Sequence, residues 1–121
     1  MSKFINLSNH SSDNWSAPQI GAAKKYGEII DISFPQIPPT ADSLEIDRLV
    51  NEYLEILSKH EIGAVMLQGE FVFTYRLVKV LKERGITVVC ACSERRVQES
   101  TDSEGRTQRI SVFEFIQFRE Y

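Results

Sequence analysis

The sequence predicts a single α/β domain with a mostly parallel sheet, and three observations favour this fold class. Short apolar segments alternate along the chain with longer segments in which apolar residues recur at helical spacing. Two of the short segments, residues 64–67 and 86–92, are continuously apolar, which is typical of strands covered on both faces. Turn-forming residues and helix-capping motifs separate the segments. Such alternation implies parallel strands joined by right-handed crossovers.

The first strand is predicted at residues 3–7, a short alternating apolar run that a polar loop follows. The first helix is expected to begin at Ser16, because Ser16 and Gln19 have the spacing of a capping box. Pro18 suits the first turn of that helix, where its missing N–H costs nothing. Gly27 is expected to end the helix in a left-handed conformation.

The second strand is predicted at residues 28–34, where three isoleucines occur. A proline-rich connection follows and excludes regular structure. Asp42 and Glu45 again have the spacing of a capping box, and apolar residues recur at helical intervals after them. The second helix is therefore expected to run to about Lys59.

The third and fourth strands are the two continuously apolar segments, and a helix is predicted between them. This helix begins near Phe71 and ends at Gly85. The side chains expected to pack on the sheet are Phe71, Tyr75, Val78 and Leu81, with Leu77 beside them.

The C-terminal part of the chain predicts a β-hairpin at residues 97–121. Its arms are residues 97–101 and 108–118, and they flank a turn-forming Asp-Ser-Glu-Gly segment. No composition shift or linker divides the chain, so residues 1–121 are expected to form one domain. The simplest sheet has the strand order 2-1-3-4, with helices on both faces.

This strand order places a ligand site at one edge of the sheet. The first and third strands are then neighbours whose helices lie on opposite faces, and ligands bind at such a switch point. Three loops meet there: residues 8–14, 68–70 and 93–96.

The first loop contains Ser8, Asn9 and His10 just before a helix N-terminus, which favours a phosphate. His10 is the histidine placed for general acid or base chemistry. The competing interpretation is an ordinary loop histidine.

The second loop turns sharply through Gln68, Gly69 and Glu70. Gly69 lets a ligand approach the backbone, and Gln68 offers a donor and an acceptor to a base edge. Glu70 is either a ligand contact or an acid that the helix dipole stabilises.

The third loop contains Ser93, Arg95 and Arg96 at the end of a buried strand. Arginine side chains there can bind a phosphate with two parallel hydrogen bonds. The alternative is a solvated charge cluster in which the arginines pair with Glu94.

Composition and motifs exclude several classes of function. The net charge of −3 lacks the broad basic surface of a protein that coats long nucleic acids. No zinc-ligand pattern or carboxylate cluster predicts a metal, and no G-x-G-x-x-G or P-loop motif predicts a cofactor. No apolar run reaches the roughly 18 residues of a membrane span, and the N-terminus is no signal peptide. We therefore expect no membrane contact and a cytoplasmic location.

Four short motifs carry a resemblance to a known group of proteins. They are FINLSNH at residues 4–10, QGEF at 68–71, SER at 93–95 and FIQFREY at 115–121. With them the chain resembles the small, stand-alone, Rossmann-like CRISPR-associated proteins of type III systems, which are similar to the sensor domains that bind cyclic oligoadenylate. This resemblance implies a Rossmann-like three-layer domain and a role in antiviral defence.

The resemblance also implies an activity, because some members of that group are metal-independent ring nucleases. A homodimer would then hold cyclic oligoadenylate in a symmetric pocket, with His10 and Arg95 as catalytic residues. The implied ligand contacts are Ser8, Asn9, Gln68, Gly69, Glu70, Ser93 and Arg96. Two alternatives remain open at this point: a sensor or sponge that binds the ring without cleaving it, and a structural protein that docks on a CRISPR complex through its hairpin.

Overall fold

The structure, a computed structural model, describes all residues from 1 to 121. Its strands are β1 (Lys3–Ser8), β2 (Glu28–Ser33), β3 (Ile62–Leu67), β4 (Val88–Thr101) and β5 (Thr107–Glu120). Its α-helices are α1 (Ala17–Lys24), α2 (Ser43–Ser58) and α3 (Phe71–Glu83), and a short 3-10 turn covers Ser12–Asn14.

The strands form one five-stranded sheet in the order β2-β1-β3-β4-β5. β1 pairs in parallel with both β2 and β3, and β3 pairs in parallel with β4. β5 is antiparallel to β4 and ends the sheet. The predicted fold class, strand order 2-1-3-4 and C-terminal hairpin are therefore confirmed.

Two helices cover one face of this sheet and one helix covers the other. Side chains alternate between the faces along each strand, so β1, β3 and β4 each contribute to a core on both faces. Ile5, Leu7, Val65 and Leu67 point to a large core cluster that α2 and α3 complete. Phe4, Ala64, Met66 and Val89 point to the other face, where Ala23 of α1 packs on them. We call this second side of the sheet the α1 face.

The predicted helix starts differ in their capping. The side chain of Asp42 accepts a hydrogen bond from the Glu45 backbone N–H at 2.9 Å, as the capping box predicts. Ser16 is at the N-cap of α1 but makes no such bond.

Gly27 lies beyond the end of α1, so its predicted role as the cap is wrong. It has φ 149°, and a Cβ there would lie 2.0 Å from the Ser2 backbone oxygen.

The predicted inner face of α3 is partly wrong. Phe71 is 89% exposed and Tyr75 is 70% exposed, whereas Phe73 and Leu77 are fully buried. Consecutive apolar residues at the start of this helix fit more than one helical face, so periodicity alone cannot choose between them. Which face of α3 is buried depends on the orientation in which the turn after β3 places the helix against the sheet.

The predicted loop at residues 93–96 does not exist, because β4 continues without a break to Thr101. β4 pairs with β3 only at Val88 and Val89, but with β5 from Val89 to Thr101. The segments 93–101 and 107–115 thus form a two-stranded arm that projects from the domain, and we call it the outer ribbon. A register shift between Cys92 and Ser93 marks where the ribbon begins.

Candidate functional site

A cavity of about 640 Å³ lies where β1, β3 and β4 leave the helix-covered part of the sheet, on the α1 face. This is the switch point that the strand order predicts. Its polar lining includes Ser8, Asn9, His10, Ser16, Gln19, Gln68 and Ser93. Its aromatic lining is Trp15, Phe113 and Phe115. We call it the switch-point cavity.

A buried asparagine holds the first loop against the sheet. Asn6 is only 2% exposed, yet all its side-chain hydrogen-bonding groups have partners. Its Nδ2 donates to the backbone oxygen of His10 at 2.8 Å and to Asp31 Oδ1 at 2.9 Å. Its Oδ1 accepts from the Ser8 hydroxyl at 2.7 Å. These bonds tie the first loop to β1 and β2.

Asp31 is the second anchor of this loop. Its carboxylate also accepts hydrogen bonds from the Ser12 hydroxyl at 2.9 Å and from the Ser12 backbone N–H. Partial burial alone would raise the pKa of Asp31, but the bonds from Asn6, Ser12 and Ser11 outweigh it and lower the pKa below its usual value. Asp31 thus stays ionised and holds the loop.

Sequence reasoning missed both anchors. The available signal was one polar residue inside each of two apolar strands, Asn6 in β1 and Asp31 in β2. The two are direct register partners in the parallel pair. Recognising that signal requires the pairing register, which a single sequence does not give.

This anchoring leaves Asn9 and His10 exposed at the cavity rim. The His10 backbone is bonded to Asn6 and Ser8, while its imidazole makes no hydrogen bond within the chain. The imidazole is therefore free to exchange a proton with a bound molecule. His10 also borders a smaller polar cavity of about 350 Å³ beside Asp31.

The second loop reaches the cavity through two of its three residues. Gln68 and Gly69 line it, whereas the Glu70 side chain caps α3 by accepting from the Phe73 backbone N–H at 2.8 Å. The Glu70 side chain is therefore engaged by the helix terminus. Any side chain at position 69 would clash, since a Cβ at Gly69 would lie 2.3 Å from the Phe34 ring.

The candidate residues of the predicted third loop, 93–96, lie in β4 and are divided between the two faces of the outer ribbon. Ser93 lines the cavity, and Arg95, two residues further, lies on the same face opposite Phe113. The Arg95 guanidinium donates to the Ser111 hydroxyl at 2.9 Å. Arg96 points to the other face, where it pairs with Glu94 and Glu114. The residues that line the cavity therefore include neither Arg95 nor Arg96, although Arg95 is on the face of the ribbon that borders the cavity.

The aromatic side chains were the other feature that sequence reasoning did not assign to the site. Trp15 comes from the segment before α1, while Phe113 and Phe115 come from the outer ribbon. Phe113 is 74% exposed although it borders the cavity. Such aromatic surfaces beside polar donors are the arrangement on which nucleobases stack.

Comparison with protein families gives one assignment. A family model described as "Uncharacterized protein MJ1673 family" matches residues 2–119. The chain belongs to this family. A search of curated proteins finds no match.

Within the structure, no helix is long and apolar enough to cross a membrane. No three His, Cys, Asp or Glu side chains come together in a cluster suited to a metal ion.

Proposed function

We propose that the protein binds a cyclic oligoadenylate in the switch-point cavity and opens its ring as a metal-independent ring nuclease. The observation that carries this proposal is the composition of one cavity, which joins aromatic surfaces to hydroxyl, amide and imidazole groups. Aromatic surfaces suit adenines, and the polar groups suit ribose and phosphate. A cytoplasmic location, in an antiviral CRISPR response, belongs to the same proposal.

In this reaction a ribose 2′-oxygen attacks the neighbouring phosphorus. The new O2′–P bond forms as the P–O5′ bond breaks, which leaves a 2′,3′-cyclic phosphate. The 2′-hydroxyl proton passes to water, and protonated His10 gives a proton to the leaving O5′. Positioning of the 2′-oxygen in line with the leaving group supplies much of the acceleration.

The N-terminus of α1 supports phosphate binding at this site. Ser16 and Gln19 border the cavity, and the first-turn amides of Ala17 and Gln19 have no helical acceptor. Arg95 adds a cation on the same side of the ribbon. Developing negative charge on the phosphate is stabilised by such donors.

A homodimer is the assembly that we propose, because a cyclic ligand with two-fold symmetry matches a two-fold axis through the site. The outer ribbon supports this assembly. Its residues are almost all exposed, and Phe113 and Val97 present apolar surface on the cavity side. A two-stranded ribbon gains little stability by itself, so a second copy against it would stabilise it.

A docking protein is the second candidate, and the same exposed ribbon is the observation that favours it. The third candidate is a sensor or sponge, which binds the ring but does not cleave it. The three candidates differ in turnover and in ligand-induced stabilisation.

The test is incubation of the purified protein with cyclic tri-, tetra- and hexa-adenylate in EDTA, followed by chromatography. We expect one ring to be converted to linear fragments by a sub-stoichiometric amount of protein. An intact ring that raises the melting temperature would support the sponge instead. Intact rings with no thermal shift would contradict both nucleotide candidates and leave the docking protein.

A further inference from the structure

Gln68 lines the switch-point cavity, and one end of its side-chain amide is already occupied. Its Oε1 accepts a hydrogen bond from the Ala91 backbone N–H at 2.7 Å. A backbone N–H can only donate, so the oxygen must be the bonded end and the amide orientation is fixed. Its Nε2 has no partner within the chain. Gln68 therefore has an unbonded donor, its Nε2, whereas its oxygen is already engaged by the Ala91 N–H.

Gln19 lines the same cavity and offers the opposite group. Its Nε2 approaches Met66 Sδ at 3.9 Å, and a thioether sulfur can only accept. Gln68 directly follows β3 (Ile62–Leu67), and it lines the same cavity as Met66 and Gln19. The Oε1 of Gln19 has no partner in the chain, so Gln19 offers an acceptor to the same cavity.

We infer that Gln68 and Gln19 together determine base specificity, with Gln68 donating to a ring nitrogen of adenine and Gln19 accepting from its amino group. Adenine carries an acceptor next to the N6 amino donor on both its Watson–Crick and its major-groove edges. The fixed donor of Gln68 and the acceptor of Gln19 are complementary to either edge. This inference rests on the proposed binding of cyclic oligoadenylate.

Hypoxanthine is the informative comparison, because it replaces the N6 amino donor of adenine with an oxygen acceptor. The Gln19 oxygen then faces another acceptor on either edge. On the Watson–Crick edge N1 also becomes a donor, which would face the donor of Gln68. An unmatched polar group in a binding site rejects a ligand more strongly than a missing methyl group does.

Gln68→Glu is a nearly isosteric test of this assignment. One carboxylate oxygen can still accept from Ala91, so the local fold is retained. The other oxygen replaces a donor with an acceptor. Gln36→Glu is the matched control, since it introduces the same charge at an exposed position between β2 and α2, away from the cavity and the outer ribbon.

The experiment measures the binding of cyclic tetra-adenylate and cyclic tetra-inosinate to the wild type and both variants by calorimetry. We expect the wild type to bind the adenylate ring at least about tenfold more tightly than the inosinate ring. Gln68→Glu should lose about tenfold in affinity for the adenylate ring at an unchanged melting temperature, and Gln36→Glu should lose little.

Two results would overturn the inference while leaving the proposed function intact: equal wild-type affinity for both rings, or full adenylate affinity in Gln68→Glu. Failure of the wild type to bind the adenylate ring, together with the absence of binding and cleavage across all three ring sizes, would instead remove the proposed function and this inference with it. The two failures are therefore distinguishable.

Discussion

The side chains of Asn6 and Asp31 are hydrogen-bonded across two neighbouring strands, with Nδ2 and Oδ1 2.9 Å apart. This bond links the buried end of β1 to the carboxylate that holds the first loop. Asn6→Ala leaves Asp31, Ser8 and the His10 carbonyl without their common partner. We expect the free energy of unfolding to fall by about 1–3 kcal/mol, measured by urea denaturation. Asn9→Ala, at an exposed position in the same loop, is the control, and an equal loss in both would contradict the anchoring role.

The lowered pKa of Asp31 predicts a pH dependence of stability. Because hydrogen bonds favour the folded carboxylate, its contribution is fully present above the unfolded pKa of about 3.9. It is lost as the pH falls through the lower folded pKa. Thermal melts between neutral pH and about pH 2 should therefore show a steeper acid loss for the wild type than for Asp31→Asn. Parallel curves for the two proteins would show that this carboxylate is not coupled to folding.

Gly69 is predicted to be required by packing. In Gly69→Ala the new methyl group would meet the ring of Phe34, which itself packs edge-on against Phe73. We expect a destabilisation of about 1–3 kcal/mol by chemical denaturation, relieved when Phe34 is also changed to Leu. Gly21→Ala is the matched control. A Cβ there meets open space within α1, so this variant should gain about 0.5–1 kcal/mol.

His10 is predicted to act in the chemical step. Its imidazole is free, and its position depends on backbone bonds that alanine retains. His10→Ala should therefore bind cyclic oligoadenylate nearly as the wild type does, but cleave it about 10²- to 10⁴-fold more slowly. His60→Ala, just after α2, should cleave normally. Cleavage by His10→Ala at the wild-type rate would exclude His10 as the acid.

The two arginines of β4 are predicted to differ. Arg95 is on the cavity face of the ribbon, whereas Arg96 is on the opposite face with Glu94 and Glu114. Arg95→Ala should weaken binding of cyclic oligoadenylate about tenfold in calorimetry, because a cationic donor to phosphate is lost. Arg96→Ala should change it little. An equal effect of both substitutions would indicate a general charge effect instead of a contact.

The candidate site was only partly predictable from the sequence. Ser8, Asn9, His10, Gln68, Gly69 and Ser93 line one cavity because strand order alone brings those chain segments to one edge. Glu70 became a helix cap, and Arg96 was separated from Ser93 by strand alternation. Residues 93–96 were expected to form a loop because local composition does not reveal the length of an antiparallel partner. The aromatic lining that Phe113 and Phe115 give to the cavity depends on that same pairing.

Apolar periodicity and capping residues act over a few neighbouring positions, so they were enough to predict the fold class. The connection rules for parallel strands then gave the strand order and the edge of the sheet where the candidate site was expected. The buried side of α3, the length of β4 and the free end of the Gln68 amide became visible only in the folded protein. These features depend on contacts between residues far apart in sequence, such as Gln68 with Ala91 and Asn6 with Asp31. Local patterns cannot specify them, since the pairing register and the docking of each helix arise only when the sheet assembles.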